Sequence, residues 1–266
     1  MNIVSFGGGT NSAAMIVGMW RSSIPIDLIL FADTGGEQPH TSEFIKAFNV
    51  WLAERSLPAI TPVYYHTKDG QRLALEDECL RYQTLPSAAY GQKRCSIKHK
   101  IGPQDKYCNN NKLCRQTWAK GDRVHKFIGY DAGETKRVTH TAQRDAIDRK
   151  FIKHYPLLEW GWDRNKCLSV ILSEGLPSPG KSSCFFCPNM RKNEIISLYE
   201  NNPTLFERAL RIEQRAMPTL QKIKGLGRNW SWADLINTYI QDKSDGEFAE
   251  SPNGCGCGMP CGCYDG

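Results

Sequence analysis

Two stretches of this chain carry residue types at spacings that can do chemistry. Cys184-Phe185-Phe186-Cys187-Pro188 sets two thiols within one turn of backbone, the spacing that grips zinc or an iron–sulfur cluster, and equally that of a redox pair or of two buried thiols. Ser5-Phe6-Gly7-Gly8-Gly9-Thr10-Asn11-Ser12 follows an apolar run and precedes a helical one. A glycine turn in that position aims backbone N–H groups at a ligand and sets the positive end of a helix dipole behind them, which suits a phosphate. The loop has neither the Gly-Lys-Ser/Thr ending of a Walker loop nor the Gly-x-Gly-x-x-Gly spacing of dinucleotide binders. Taken alone it is equally compatible with a structural turn.

Carboxylates add to both readings. Asp33 and Glu37 follow the second apolar run, where they can meet a ribose or a metal, although Asp before Thr34-Gly35 is also an ordinary turn residue. Asp131 and Glu134 offer the oxygens that Mg²⁺ prefers, or simply occupy an exposed turn. The six histidines show no ligand spacing. Of the eleven cysteines, Cys255, Cys257, Cys261 and Cys263 fall in a Cys-Gly-Cys-x3-Cys-Gly-Cys tail, read either as a second metal site or as a low-complexity end.

The formal net charge of +6 is unevenly spread, because residues 91–153 hold 16 Lys and Arg against 6 Asp and Glu. A basic block this local is the footprint of a polyanionic partner such as tRNA or DNA, or else a solvated face. No run approaches the ~20 apolar residues of a membrane helix, and the start of the chain lacks a secretory pattern. A cytoplasmic protein with reduced cysteines and no membrane partner is the expectation.

The elements that must position these groups follow from the apolar pattern. Strands are expected at 2–6, 26–32, 60–66 and 126–130, the second nearly continuous in its apolar residues as a strand covered on both faces must be. Helices are expected at 11–20, 41–55, 163–174, 191–217 with a break at Pro203, and 231–241. Strands alternating with helices imply βαβ units: an α/β fold with a parallel twisted sheet, helices on both faces, and ligands beyond the carboxyl ends of the strands. Three segments are expected: a nucleotide-binding α/β domain over 1–190 that includes the Cys-x-x-Cys site, a helical C-terminal part over 191–250, and the Cys/Gly-rich tail at 251–266.

Four motifs, in order, resemble one family. The Ser5–Ser12 loop is similar to the Ser-Gly-Gly-x-Asp-Ser pyrophosphate loop (PP-loop) of the adenine nucleotide α-hydrolase superfamily. Phe31-Ala32-Asp33-Thr34-Gly35-Gly36-Glu37 resembles the second-strand motif of its phosphoadenosine phosphosulfate (PAPS) reductase branch. Gly129-Tyr130-Asp131-Ala132-Gly133-Glu134-Thr135-Lys136-Arg137 is similar to that branch's Gly-Ile-x-x-Asp-Glu-x-x-Arg, and Tyr155-Pro156-Leu157-Leu158-Glu159-Trp160 to its Pro-Leu-x-x-Trp. Arg94-Cys95-Ser96-Ile97-Lys98-His99-Lys100-Ile101-Gly102-Pro103 resembles the Cys-Cys-x-x-Arg-Lys-x-x-Pro segment that precedes Cys-x-x-Cys in cluster-bearing APS reductases. Two departures stand out. Asn11 occupies a position where many ATP pyrophosphatases carry Asp, and Arg94 replaces one of four cluster cysteines.

The resemblance implies a Rossmann-like fold that binds ATP or another adenine nucleotide through Ser5, Gly7, Gly8, Gly9, Thr10, Asn11, Ser12, Asp33, Thr34, Gly129, Asp131 and Glu134, with Mg²⁺ among the phosphates. Asp33, Lys136 and Arg137 would act in catalysis, with Lys98 and Lys100 as further phosphate clamps. Cys95, Cys184 and Cys187 would hold a 4Fe-4S cluster, or alternatively Zn²⁺, with a fourth ligand from Cys108 or Cys114. The activity implied is adenylation with pyrophosphate release, followed by sulfur transfer to a nucleic acid or nucleotide from a sulfur donor. A sulfonucleotide reductase working with thioredoxin, and a non-catalytic binding module with structural zinc, are the alternatives.

Overall fold

The computed structural model describes residues 1–244. The tail cysteines Cys255, Cys257, Cys261 and Cys263 lie outside the described residues. Five strands form one wholly parallel sheet: β1 (Asn2–Phe6), β2 (Leu28–Ala32), β3 (Ile60–Val63), β4 (Val124–Ile128) and β5 (Phe151–His154), in the order β3-β2-β1-β4-β5. This is the expected α/β, Rossmann-like architecture. After β1 the chain steps outward twice, through β2 and β3, then returns to add β4 on the other side of β1. The β1 and β4 loops therefore diverge at their carboxyl ends and leave a crevice there.

Side-chain alternation decides what covers each face. Val4 and Phe6 turn to one side, where helix α1 (Thr10–Arg21) is buried along nearly its whole length and packs against the helix Arg164–Ser173. Phe6, Phe48 and Phe44 stack there with ring centroids 5.4–5.6 Å apart, drawing α2 (Pro39–Glu54) onto the sheet. Gly18 lets α1 approach Trp160, whose ring atoms would lie 2.3 Å from an added Cβ. Ile3 and Leu30 turn to the opposite face, with Val63, Val124 and Phe151, and are covered by the helices Gly102–Asn110 and Lys112–Ala119. Both faces are thus sealed, which explains the unbroken apolar run of β2.

The described chain divides into two compact units: Met1–Arg72 with Lys98–Ser182, and Leu73–Ile97 with the described residues from Ser183 on. The division falls eight residues before the expected 190, and a segment from the middle of the expected α/β domain joins the helical part. The Cys-x-x-Cys turn therefore belongs to the helical unit. In that unit Leu75–Tyr82, Lys192–Asn201, Pro203–Ala216 and Trp232–Ser244 pack around Phe185, Phe186, Phe206 and Trp232. Pro203 does not interrupt one helix but opens a new one at its first turn, where the missing N–H costs nothing. Among the described residues no helix is long and apolar enough to cross a membrane.

Glu213 is the polar centre of the helical unit. It is 2 % exposed, and its carboxylate accepts the N–H groups of Leu226 at 2.7 Å, Trp232 at 3.0 Å and Ala233 at 3.2 Å. Burial raises its pKa, an effect that these three donors oppose. Glu213→Ala strands three donors in the core, and each buried orphan costs about 1–3 kcal/mol. We expect a loss of several kcal/mol in urea unfolding for Glu213→Ala, and a much smaller one for Glu213→Gln, which keeps two acceptor lone pairs.

Candidate functional site

The crevice at the carboxyl edge is built by two turns that touch. Gly8 adopts φ +76° after β1, a left-handed conformation for which glycine is suited, and a Cβ there would stand 2.9 Å from Thr41 Cγ2. Gly7 N–H donates to Ser12 Oγ at 3.1 Å, and that hydroxyl donates to Gly9 O at 3.2 Å, fixing the curl of the loop. Gly9 precedes α1 without any side-chain cap, and α1 has no acidic residue in its first turn. The first-turn N–H groups have no intrahelical acceptors, and they share the positive end of the dipole. On the far side of the crevice Gly129 packs against α1 so closely that a Cβ would lie 2.9 Å from both Cα and N of Ser12.

The β4 turn then reaches back to α1 through polar atoms. Asp131 accepts from Gly133 N–H at 2.9 Å, while Glu134 accepts from Asp131 N–H at 3.2 Å, a capping box on the short 3-10 turn Ala132–Glu134 that leads into the helix Thr135–Ala146. Asn11 Nδ2 donates to Asp131 Oδ2 at 3.0 Å and to Glu134 Oε2 at 3.3 Å. Its Oδ1 is buried and has no partner. Arg137 pairs with Glu134 and lies over the Tyr130 ring at 4.3 Å. Burial raises the Glu134 carboxyl, although Arg137 works against it. Asn11 Oδ1, Asp131 and Glu134 form a set of hard oxygens, the donor type that suits Mg²⁺. Their capping and pairing bonds show that they also have structural partners.

Other expected residues take different places. Ser5 points to the opposite face of β1 and donates to Gln104 Oε1 at 2.6 Å, both groups being buried. Its hydroxyl is thereby committed to Gln104 and does not face the loop. Thr10 Oγ1 contacts Gly180 O at 3.4 Å, and an added Cβ on Gly9 would meet Ser182 Oγ at 2.5 Å, so the 180–182 segment lies across the start of α1. Asp33 accepts from Gly35 N–H at 2.7 Å and pairs with Arg72 at 3.2 Å. Lys136 is exposed on its helix. Lys98 lies over the Tyr65 ring at 4.7 Å.

Glu37 was a minor sequence candidate, yet its surroundings are unusual. Thr34 Oγ1 donates to its Oε1 at 2.9 Å, while Oε2 is buried without a partner. Burial raises its pKa above the ordinary 4.5, and Lys100 acts in the opposite direction.

A second cavity of about 380 Å³ opens over β4 and β5 in the same unit. Lys126, Arg144, Lys150 and Lys153 line it together with Phe151 and Tyr155. Asp145 accepts from Lys153 at 2.5 Å and from the Tyr155 hydroxyl at 2.7 Å. Burial alone would raise the Asp145 carboxyl, but Lys153, Tyr155 and Thr141 outweigh it and hold the pKa low. Four cations of the 91–153 block thus converge on one concave surface, which no periodicity in the sequence announced.

The cysteines separate between the units. Cys95, Cys184 and Cys187 belong to the apolar cluster of the helical unit, together with Cys79. Cys187 N–H bonds to Cys184 O at 3.0 Å and Met190 N–H to Cys187 O at 3.0 Å, giving a tight turn, and Cys95 N–H donates to Ser87 Oγ at 2.7 Å. Cys108 and Cys114, expected as sources of a fourth ligand, are instead buried in the α/β unit beneath β1 and β4 and hydrogen-bond to each other. Among the described residues no group of three or more His, Cys, Asp or Glu is disposed to hold a metal ion. The thiols fit a soft metal by chemistry and by shared environment, but not by their present disposition.

No protein-family model and no curated protein matches this chain.

Two outcomes follow from this geometry. Gly129→Ala forces backbone against backbone at Ser12, a form of overpacking that typically costs about 1–3 kcal/mol, and we expect a lower thermal midpoint. For Glu37 the raised carboxyl favours the folded state fully below 4.5, and that contribution is lost as pH rises through the folded-state value. Glu37→Gln should therefore match the parent in urea at pH 4 and gain on it as pH rises above 4.5, the gain levelling off once the folded-state carboxyl has ionised. A constant difference across that range would contradict this account.

Proposed function

We propose that this protein is a PP-loop-type enzyme that binds an adenine nucleotide and activates an acceptor by adenylation, in support of sulfur transfer. The observation that carries the nucleotide reading is the join between the β1 loop and the β4 turn. A glycine loop at a helix N-terminus lies at the switch point of a parallel sheet, and Asn11 ties it to Asp131 and Glu134 while leaving a buried oxygen unpartnered.

In this reading the triphosphate rests on the N–H groups of Gly7 to Ser12. Asp131, Glu134 and Asn11 Oδ1 would hold Mg²⁺, which would supply the charge that neutralises the phosphates. Arg137 balances the carboxylates and fixes Glu134 for that task. An acceptor oxygen attacks the α-phosphorus, the bond to the β-phosphate breaks, and pyrophosphate leaves with its charge met by the helix end. A sulfide-level nucleophile from a sulfur donor then attacks the adenylated carbon or phosphorus, the bond to the activated oxygen breaks, and AMP leaves carrying that oxygen. The basic cavity over β4 and β5 suits a nucleic-acid acceptor, since it offers cations for phosphates and aromatic rings for bases. Membership of the PAPS-reductase branch rests on the four ordered motifs.

The test is pyrophosphate release from ATP with Mg²⁺, in the presence and absence of tRNA and of DNA. We expect ATP binding that Asn11→Ala weakens about tenfold or more, as befits roughly 1.5–3 kcal/mol for a hydrogen bond to a charged group, and pyrophosphate release that needs an acceptor. No detectable ATP binding by calorimetry would remove this reading altogether.

A further inference from the structure

The cavity over β4 and β5 holds lysines that the fold does not need. Lys126 and Lys153 are register partners on adjacent strands, so their side chains leave the same face of the sheet as neighbours. That face is otherwise apolar, with Ile3, Val124 and Phe151 on it. Like charges directly opposite one another are destabilising, and burying an ammonium group is costly unless it is well paired. Lys126 is 5 % exposed, and its ion pair is with Asp105 at 3.3 Å, a half-buried side chain of the helix Gly102–Asn110. Lys153 has Asp145 at 2.5 Å. Beside the two lysines a concave space of about 380 Å³ remains.

Two more cations reach the same space from the exposed side. Lys150 Nζ donates to Asn109 Oδ1 at 2.6 Å, a neutral partner. Arg144 stands 3.9 Å from Asp145, whose oxygens already accept from Lys153, Tyr155 and Thr141. The lining thus sets Lys126, Arg144, Lys150 and Lys153 against two carboxylates, Asp105 and Asp148. That surplus of positive charge suits an anion, and Phe151 and Tyr155 give the anion an apolar flank. Size decides the kind of anion. Ligand cavities span roughly 300–1,000 Å³, so a cavity near the lower end admits one ring with its phosphate and not a run of polymer. A phosphate monoester carries about −1.5 to −2 charge at neutral pH and three strong acceptor oxygens, enough to bridge a buried ammonium and the cations at the rim. An internal phosphodiester has less charge and fewer free oxygens.

We propose that this cavity is a second ligand site of the α/β unit, for a phosphate monoester borne on a ring, with Lys126 beneath the phosphate and Lys150 and Arg144 at the rim. It stands apart from the crevice at the carboxyl edge and does not rest on ATP binding there. A free mononucleotide and the 5′-phosphorylated end of a strand present the same chemistry.

The experiment titrates the full chain with UMP and with uridine by calorimetry, alone and with one equivalent of ATP and Mg²⁺. Expected is one UMP per chain in both conditions, bound at least about tenfold tighter than uridine, the effect of a hydrogen bond to a charged group. Lys126→Met keeps the apolar stem and drops the charge, and should weaken UMP about tenfold or more without lowering the thermal midpoint. Lys150→Ala, at the rim, should weaken UMP while leaving the fold untouched, and Asn11→Ala should not change it. A uridine oligomer that displaces UMP only when it carries a 5′-phosphate assigns the site to strand ends. An oligomer that displaces UMP in neither form assigns it to free monoesters, and both results uphold the site. No UMP binding at millimolar concentration, equal binding of UMP and uridine, or displacement by the oligomer with and without its phosphate alike would overturn the proposal. So would UMP binding that Lys126→Met and Lys150→Ala both leave intact. ATP binding is read separately, so its failure leaves this test standing.

Discussion

The α/β unit depends on a close approach of two backbones. Gly129, at the carboxyl end of β4, lies so near Ser12 that any side chain would collide with the start of α1. That contact fixes where the β4 turn begins, and so where Asp131 and Glu134 stand relative to Asn11. It also holds the N-terminus of α1 at the crevice, where its unpaired N–H groups can serve an anion. Gly8 and Gly9 impose the same discipline from the other side, against Thr41 and Ser182. The site is a product of missing side chains as much as of present ones.

Asn11 is the residue on which the chemical reading turns. With Asp at this position three carboxylates would face one another, and a cation or a proton retained on one of them would be needed to relieve the repulsion. The amide instead bridges Asp131 and Glu134 without any ion, so the two turns are joined even when no nucleotide is bound. The consequence is a junction whose geometry is set by the protein's own side chains. Glu134 feels the burial of this arrangement, and Arg137 relieves it.

Much of the sheet was legible in the sequence because β1 and β2 are covered on both faces, so that β2 reads as an unbroken apolar run and β1 as a short one interrupted only by Ser5 after Asn2. β4 was anticipated two residues late, since the polar pair His125 and Lys126 separates Val124 from the apolar Phe127 and Ile128. β5 was not anticipated. It is a four-residue edge strand whose Lys153 and His154 read as polar loop. The glycine loop and the β4 turn were found from their motifs, but the commitment of Ser5 to Gln104 could not be read, because the partners are 99 residues apart.

The account stands on nucleotide phosphates resting at the junction of the β1 loop and the β4 turn. Site-resolved amide hydrogen exchange, with and without ATP and Mg²⁺, observes that junction directly. The account predicts new protection concentrated at the amides of Gly7 to Ser12 and of Gly129 to Glu134, with the core strands unchanged. Protection elsewhere in the chain with none at these amides would contradict it.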